Sequence, residues 1–206
     1  MNTIYNAEAI AAMDKDFRTQ FINHLSGYKS ANVIGTINGA GLSNLAIFSS
    51  VVHLGANPAL VGMISRPFAE NVSRHTYNNL TETGFYTINH VGLNWIQKAH
   101  QTSARYDDKT SEFEAVGLTE EFIGDFPVPF VKESHIKMGL KYLQTVDIEL
   151  NGTKLIIGEI ILVQVPTACV SIGGHLDLVA AGSVAVQGLD SYAKGELLGR
   201  FAYAKK

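Results

Sequence analysis

Residues 31–52 read ANVIGTINGAGLSNLAIFSSVV. This stretch contains two apolar runs, 31–37 and 44–52, that are rich in Val, Ile and Phe, as β-strands are. Between them stands Asn38-Gly39, and both of these residues tolerate the positive φ that a tight hairpin turn requires. The stretch therefore predicts a β-hairpin, and with it an antiparallel sheet.

Short strands continue on both sides of this hairpin. A second Asn-Gly pair, Asn151-Gly152, marks another hairpin. The run 155–165 is apolar at nearly every position, which indicates that both of its faces are covered, by a barrel with helical insertions and by a subunit interface. The further strands predicted from Val-, Ile-, Leu- and Thr-rich runs are 59–65, 85–91, 140–150, 155–165, 176–180 and 184–187.

Helices are expected at the periphery of the sheet. Apolar residues at steps of three and four predict one helix over 7–25, with Asn6 as its N-cap. Shorter helices are predicted over 70–81, 94–103 and 195–204. The regular βα alternation of a doubly wound fold is absent. The expected fold class is mainly β with peripheral helices, in a single domain over 1–206.

Composition and charge exclude several classes of protein. There are 16 Lys and Arg against 19 Asp and Glu, a formal net charge of −3, so no basic excess indicates a nucleic-acid partner. Cys169 is the single cysteine, and the seven His include no His-x-x-x-His pair, so neither a disulfide nor a metal site is expected. No leader or membrane-spanning run is visible. We expect a cytoplasmic protein with no membrane partner.

The strand that follows the first hairpin is the first candidate site. It mixes small polar and apolar residues, so it can lie close to a flat ligand whose edge is read by backbone groups and by Ser or Asn side chains. The alternative is an ordinary amphipathic strand. The candidate ligand contacts are Asn44, Leu45, Ala46, Ser49 and Ser50.

The second candidate site is a phosphate site. Arg66 ends a predicted strand, and Ser73, Arg74 and Thr76 open a predicted helix. Guanidinium groups, hydroxyls and the free N–H groups of a helix start are what a phosphate monoester needs. The alternative is a capped surface helix with solvated Arg74 and His75.

The third candidate is the end of the 94–103 helix, where His100 and Ser103 could contact the polar edge of a ligand. The alternative for His100 is a purely structural role. Two other chemistries find no support. Gly39-Ala40-Gly41 lacks the third glycine and the following helix of a dinucleotide fingerprint, and no Gly-x-Ser-x-Gly elbow of a serine hydrolase is present.

Taken in order, these segments resemble the flavin reductase-like family, whose fold is the FMN-binding split barrel. The resemblance extends over roughly residues 10 to 204 and lies in the order of the segments. Those segments include Ile34-Gly35-Thr36, Ser43-Asn44-Leu45-Ala46-Ile47-Phe48-Ser49-Ser50, Arg66-Pro67, Arg74-His75-Thr76-Tyr77-Asn78-Asn79, Tyr86-Thr87-Ile88-Asn89-His90-Val91, Ser111-Glu112-Phe113-Glu114, Asn151-Gly152-Thr153 and Gly188-Leu189-Asp190-Ser191-Tyr192.

The resemblance implies a homodimer with non-covalent flavin mononucleotide (FMN) near the subunit interface. It places the isoalloxazine ring along 44–50 and the phosphate at the segments around Arg66 and Arg74 to Thr76. It also implies reduction of flavin by NADH or NADPH, or passage of electrons to a small-molecule or protein acceptor. No catalytic residue is named, because the flavin carries the hydride.

Three other interpretations stay open at the level of sequence. The chain could store or sense flavin without turnover. It could be an oxidase of the pyridoxamine-phosphate type, which uses a similar barrel on a different substrate. It could also be a β-domain that holds no cofactor.

Overall fold

The computed structural model describes residues 1–67 and 74–205, and most of this part of the chain that is regular is β-strand. The mainly β fold class is confirmed. In chain order the strands of the described residues are β1 (Lys29–Ser30), β2 (Asn32–Ile37), β3 (Ser43–Phe48), β4 (Val51–Ala56), β5 (Ala59–Ser65), β6 (Phe85–His90), β7 (Glu120–Glu121), β8 (Phe130–Val131), β9 (Lys137–Ile148), β10 (Thr153–Gln164), β11 (Val184–Gln187) and β12 (Ser191–Lys194).

Seven of these strands form one antiparallel sheet, in the order β3-β2-β6-β9-β10-β5-β4. Its two outermost strands, β3 and β4, are consecutive in the chain and are separated by Ser49 and Ser50 alone. A sheet whose opposite edges are joined by two residues must curl until those edges meet at that point. Phe48 of β3 and Val51 of β4 accordingly pack on one core cluster, with Ile34, Met63 and Ile156. The result is a barrel that closes at one corner.

The small size of glycine lets two parts of this barrel approach each other. At Gly158 in β10 a Cβ atom would lie 2.2 Å from Oη of Tyr86 in β6. Gly158 also sits beside a register shift between β9 and β10, so the strand bends where the tyrosine fills the space. The Tyr86 ring therefore occupies the space inside the barrel that a side chain at position 158 would need.

The helices lie around the sheet, as predicted, but two predictions about them are wrong. The predicted helix over 7–25 is two helices, because Asp14 accepts hydrogen bonds from the backbone N–H groups of Asp16 (2.8 Å) and Phe17 (3.3 Å) and so starts a new helix. The predicted helix over 195–204 is absent, and Gly195 and Gly199 disfavour it. The helices of the described residues are α1 (Ala7–Ala11), α2 (Lys15–Leu25), α3 (His75–Thr83), α4 (Ile96–Gln101) and α5 (Glu112–Val116).

Two strand predictions also need correction. The predicted strand 44–52 is broken at Ser49-Ser50, which separate β3 from β4. The predicted strand 176–180 is a turn after one bridge between Leu176 and Val170, because the side chain of Asp177 accepts from the next backbone N–H groups, those of Val179 and Ala180. The start of the predicted helix 70–81 lies outside the described residues, and α3 begins at His75.

Both Asn-Gly hairpins form. In the first, a five-residue loop joins Ile37 to Ser43, and the positive φ of 85° belongs to Gly41 rather than to Gly39. The Asn38 side chain accepts from the backbone N–H groups of Ala40 and Leu42, so it organises the loop. The asparagine is therefore the residue that determines the turn.

The expectation that both faces of the 155–165 run are covered holds for only part of β10. Ile156 is fully buried, whereas Ile161 and Val163 are 51% and 57% exposed in the single chain. Among the described residues, no helix is both long and apolar enough to cross a membrane.

Candidate functional site

A buried polar network surrounds Asn44, the first strand candidate. Asn44 is 6% exposed, and its Nδ2 donates to Oε2 of Glu112 over 2.5 Å. Its Oδ1 accepts from the hydroxyls of Thr36 (3.2 Å) and Thr76 (3.1 Å). Asn79 in turn donates to the Thr36 hydroxyl (3.1 Å). The network joins β2, β3, α3 and α5, so Asn44 is a structural centre of the site.

Glu112 is a partner that the sequence analysis did not identify. It is the first residue of α5 and is only 4% exposed. The same oxygen that accepts from Asn44 also accepts the backbone N–H of Leu45 (3.0 Å). The Ser111-Glu112-Phe113-Glu114 segment was noted only as family-like, and nothing in its spacing indicates that its carboxylate reaches a strand 68 residues earlier.

The outer edge of β3 carries backbone groups that no other strand of the described sheet pairs with, because β3 is an edge strand. Leu45 stands opposite Gly35, and Ile47 stands opposite Val33. In an antiparallel ladder, residues two apart point their N–H and C=O groups the same way. Since the Leu45 N–H points outward to Glu112, the Ile47 backbone groups point outward as well.

The other strand candidates have distinct surroundings. The Leu45 side chain is fully buried in a core cluster, so only its backbone faces the edge. Ala46 pairs with Ile34 and is half-buried. Ser49 is half-buried and Ser50 is exposed in the bend between β3 and β4, where the Ser50 carbonyl accepts from Ile64 (2.9 Å). Residues 44–46 thus lie along the edge strand β3, and residues 49–50 form the bend at the corner where the barrel closes.

A groove of about 420 Å³ opens at that corner. One side is formed by the end of α2 with Ile22, Asn23 and Ser26, and the other by the bend and the start of β4. Lys29 lies in the same groove and donates to the Asn23 carbonyl (3.1 Å). The groove therefore places Ser49 and Ser50 beside a mixed apolar and polar surface.

Three arginines meet near the start of α3. Arg66 follows β5 and is exposed, while Arg74 immediately precedes α3 and donates to the Pro67 carbonyl (2.7 Å). Within the described residues, Nε of Arg74 is buried without a hydrogen-bond partner. Burial, together with the nearby positive charges of Arg66 and Arg105, lowers the pKa of the Arg74 guanidinium below its usual value. Within 1–67 and 74–205, the charges that act on Arg74 are therefore of its own sign. Arg105 was not a sequence candidate.

Thr76, His100 and Ser103 complete the predicted set. The Thr76 hydroxyl donates to Asn44, so in this structure its proton is used within the Asn44 network. His100 pairs through Nδ1 with the Tyr192 hydroxyl of β12 (2.9 Å), and the two rings meet edge to face. Ser103 is exposed just after α4. Ser73, also predicted for the phosphate, lies outside the described residues.

A second, polar cleft of about 260 Å³ adjoins the Asn44 network. It runs along α3 beside His75, Asn78 and Glu82, with Ser43 and Asn44 also among its lining residues. Asp107 and Asp108 form part of its other wall. This acidic cleft and the arginine group lie at the same helix but differ in charge.

The comparison with known proteins identifies the family. The model of the "Flavin reductase like domain" family matches residues 25–172. The chain belongs to the flavin reductase-like family. Its domain includes every predicted site residue, from Asn44 to Ser103, and its barrel with one closed corner is the split barrel that the resemblance implied.

Solved structures agree with this flavin reductase-like assignment. A proposed flavin reductase with a split barrel domain from Shewanella frigidimarina NCIMB 400 is 50% identical, with a TM-score of 0.94, covering 98% of this chain and 100% of that one. An FMN-binding protein from Thermus thermophilus shares the fold at 16% identity, with a TM-score of 0.69 and coverage of 87% and 93%. An uncharacterized protein of Aquifex aeolicus (strain VF5) is 25% identical over 132 residues, which is 64% of this chain and 66% of that protein.

Proposed function

We propose that this flavoprotein oxidoreductase binds FMN without a covalent link, takes electrons from NADH or NADPH, and passes them to free flavin or to another acceptor. The observation that carries the proposal is the arginine group. Arg74 has a buried Nε without a partner among the described residues, and the charges of those residues that act on its guanidinium are those of Arg66 and Arg105. A dianionic phosphate monoester supplies the missing acceptor and the opposite charge. The residues present therefore fit the FMN phosphate.

The ring is expected at the other end of β3. The outward backbone groups of Ile47 offer a donor and an acceptor to the edge of a flat heterocycle, and Glu112 already occupies the N–H of Leu45. The groove at Ser49 and Ser50 begins two residues after Ile47 and would give the ring room at that end of β3. Asn44, Leu45 and Ala46 then form the wall that runs from the ring towards the phosphate.

The chemistry divides between cofactor and protein. When bound, the flavin accepts a hydride and hands its electrons on. The arginines hold the phosphate, and the β3 edge fixes the ring in its plane. The groove leaves one side open, as it must if a donor carbon is to come within about 3–3.5 Å of the ring. No protein acid or base is needed for this transfer.

A homodimer is part of the proposal. Strands β4, β9 and β10 expose large apolar side chains in the single chain, and apolar surface of this kind is a candidate interaction site. A second copy would cover it. A cytoplasmic location stays a prediction. The exposed residues are Val52, Leu54, Leu143, Val146, Ile161 and Val163.

The test is the spectrum and turnover of the purified protein. We expect flavin absorbance bands that leave with heat-released FMN, and oxidation of NADH or NADPH on addition of FMN. FMN bound without such turnover would indicate storage or sensing instead, and oxygen uptake with pyridoxamine phosphate would indicate the oxidase. A colourless protein that cannot be reconstituted with FMN would contradict the whole proposal.

Arg66→Ala is the matching variant. Losing a charge-assisted pair costs on the order of 1.5–3 kcal/mol, so the Kd for FMN should rise about 10- to 150-fold. Arg200→Ala, in the exposed C-terminal tail, is the control that should leave FMN binding unchanged. An unchanged Kd in Arg66→Ala would remove Arg66 from the phosphate site.

A further inference from the structure

We propose that Glu112 is a positioning residue that fixes the orientation of the Asn44 amide. Through this amide it holds the first turn of α3, and the proposed phosphate-binding arginine before that turn, at a fixed position relative to the proposed ring-binding edge of β3. The proposal rests on the proposed FMN site. Glu112 itself is not expected to touch the flavin, since both of its recorded hydrogen bonds go to Asn44 and Leu45.

The first step is the orientation of the amide. An ionised carboxylate only accepts hydrogen bonds, whereas an Asn side chain has one donating and one accepting end. Glu112 therefore selects Nδ2 as the end that faces it, and Oδ1 must face the two threonines. With Asn44 and Glu112 both nearly fully buried, water does not offer an alternative partner at low cost.

The second step carries this orientation to α3. Because Oδ1 faces Thr76, the Thr76 hydroxyl donates to it, and Thr76 is the second residue of the helix. Asn79, one turn further along α3, reaches the same network through Thr36. The start of α3 is thus attached to β3 at two points. Arg74, directly before the helix, is placed by that attachment.

The third step links the network to the ring. The Glu112 oxygen that holds the Asn44 side chain also holds the Leu45 backbone, on the outer edge of β3. The next outward residue, Ile47, is the proposed contact of the ring. One buried carboxylate therefore sets the distance between the phosphate end and the ring end of the site. A ligand that occupies both ends depends on this distance, and a ligand that occupies only the ring end does not.

The experiment compares FMN with riboflavin, which has the same ring but no phosphate, on the full-length protein. In Glu112→Met the acceptor of both the Asn44 amide and the Leu45 N–H is removed, so nothing holds Oδ1 of Asn44 towards Thr76. We expect the Kd for FMN to rise about tenfold or more, while the Kd for riboflavin changes by less than about threefold. The quantity measured is the ratio of the two Kd values, which a general loss of stability would not change.

Glu120→Met is the matched control. Glu120 hydrogen-bonds the hydroxyl of Ser43, the residue before Asn44, but has no recorded link to α3. Its ratio of Kd values should equal that of the wild type. Glu112→Gln is the conservative variant, because the oxygen of the Gln amide can replace the one Glu112 oxygen that accepts from both Asn44 and Leu45. This conservative variant should keep most of the FMN affinity that Glu112→Met loses.

The outcomes separate the two proposals. If Glu112→Met weakens FMN and riboflavin equally, or weakens neither, the positioning role is overturned while the FMN site stands. The role is also overturned if Glu112→Gln loses as much FMN affinity as Glu112→Met. If Glu112→Met does not fold, Thr36→Val decides, because it breaks the link from Asn44 to Asn79 of α3: a raised ratio supports the role, and a wild-type ratio overturns it. If the wild-type protein binds neither ligand, the proposed function fails and this inference fails with it.

Discussion

The candidate site has two neighbouring parts that differ in how their polar groups are satisfied: the network around Asn44 and the arginines near the start of α3. At the Asn44 end, donors and acceptors are matched: Asn44, Glu112, Thr36, Thr76 and Asn79 all belong to one hydrogen-bonded network. At the arginine end, a few residues away, Nε of Arg74 has no hydrogen-bond partner in the part of the chain that the structure describes, and Arg66 and Arg105 act on it with like charge. The first group is satisfied by its own side chains, and the second is the one for which we propose an anion.

This difference separates residues that build the site from residues that bind its ligand. A matched buried network contributes to folding and resists substitution, because removing one partner leaves the others unsatisfied. Unmatched like charges contribute little to folding and oppose it slightly, but they give affinity when the ligand arrives. Substitutions at the first group should therefore be seen in the free energy of unfolding, and substitutions at the second in ligand affinity.

The largest effect is expected from Asn44→Asp, which sets a second buried carboxylate against Glu112. Two carboxylates in contact cannot both stay ionised without repulsion, and breaking a buried network in this way costs about 3–5 kcal/mol. Urea unfolding of the ligand-free protein measures it. Asn78→Asp, an exposed change on α3, is the control and should unfold near the wild-type midpoint. Equal stability of the two variants would contradict the assignment of Asn44 to the residues that build the site.

Arg74→Gln should behave in the reverse manner. The Kd for FMN should rise about 10- to 150-fold, because a charge-assisted pair is lost. The free energy of unfolding without ligand should change by no more than about 1 kcal/mol, because the lost bond to the Pro67 carbonyl is offset by relief of repulsion. Fluorescence titration and urea unfolding on one preparation test both. A variant that unfolds easily but binds FMN normally would reverse our assignment of roles.

The smallest effect is that of a simple anion. Inorganic phosphate should raise the melting temperature of the ligand-free protein, with about 1.4 kcal/mol gained when its concentration is tenfold above its Kd. The comparison is made against chloride at the same ionic strength. Arg74→Gln should lose most of this response, whereas Arg200→Ala, in the exposed C-terminal tail, should keep it. A response that survives in Arg74→Gln would show that phosphate acts elsewhere.

The parts of the fold that sequence could predict are those decided by neighbouring residues. Asn38-Gly39 predicted a hairpin because asparagine and glycine are suited to turns, and the hairpin forms. The break at Ser49-Ser50 was missed because apolar residues continue on both sides of it, so the period of the pattern shows no interruption. Asp14 was missed for a related reason: apolar spacing continues through it, and only its side-chain bonds reveal a new helix start.

The same limit applies to the candidate site: sequence suggests residues whose use is evident locally and misses those whose use depends on tertiary contacts. Arg66 and Arg74 are still predicted contacts. They were chosen from the sequence because a guanidinium at a strand end or a helix start has an evident use for an anion. Glu112 and Arg105 were not, because their importance depends on contacts with residues distant in the chain, such as the 68-residue separation between Glu112 and Asn44. Thr76 was identified by type, but its recorded partner is Asn44, and only the tertiary structure could reveal that.

The two-residue bend at Ser49-Ser50 has a mechanical consequence. The bend joins the two edge strands of the sheet. A ligand bound at the bend would therefore contact both of them and restrain the motion of β3 and β4 together. Slower hydrogen–deuterium exchange should therefore accompany flavin binding in β4, on the far margin, as well as in β3. Occupancy of the cofactor would in this way be communicated to Val52 and Leu54, on the surface where a second subunit is expected.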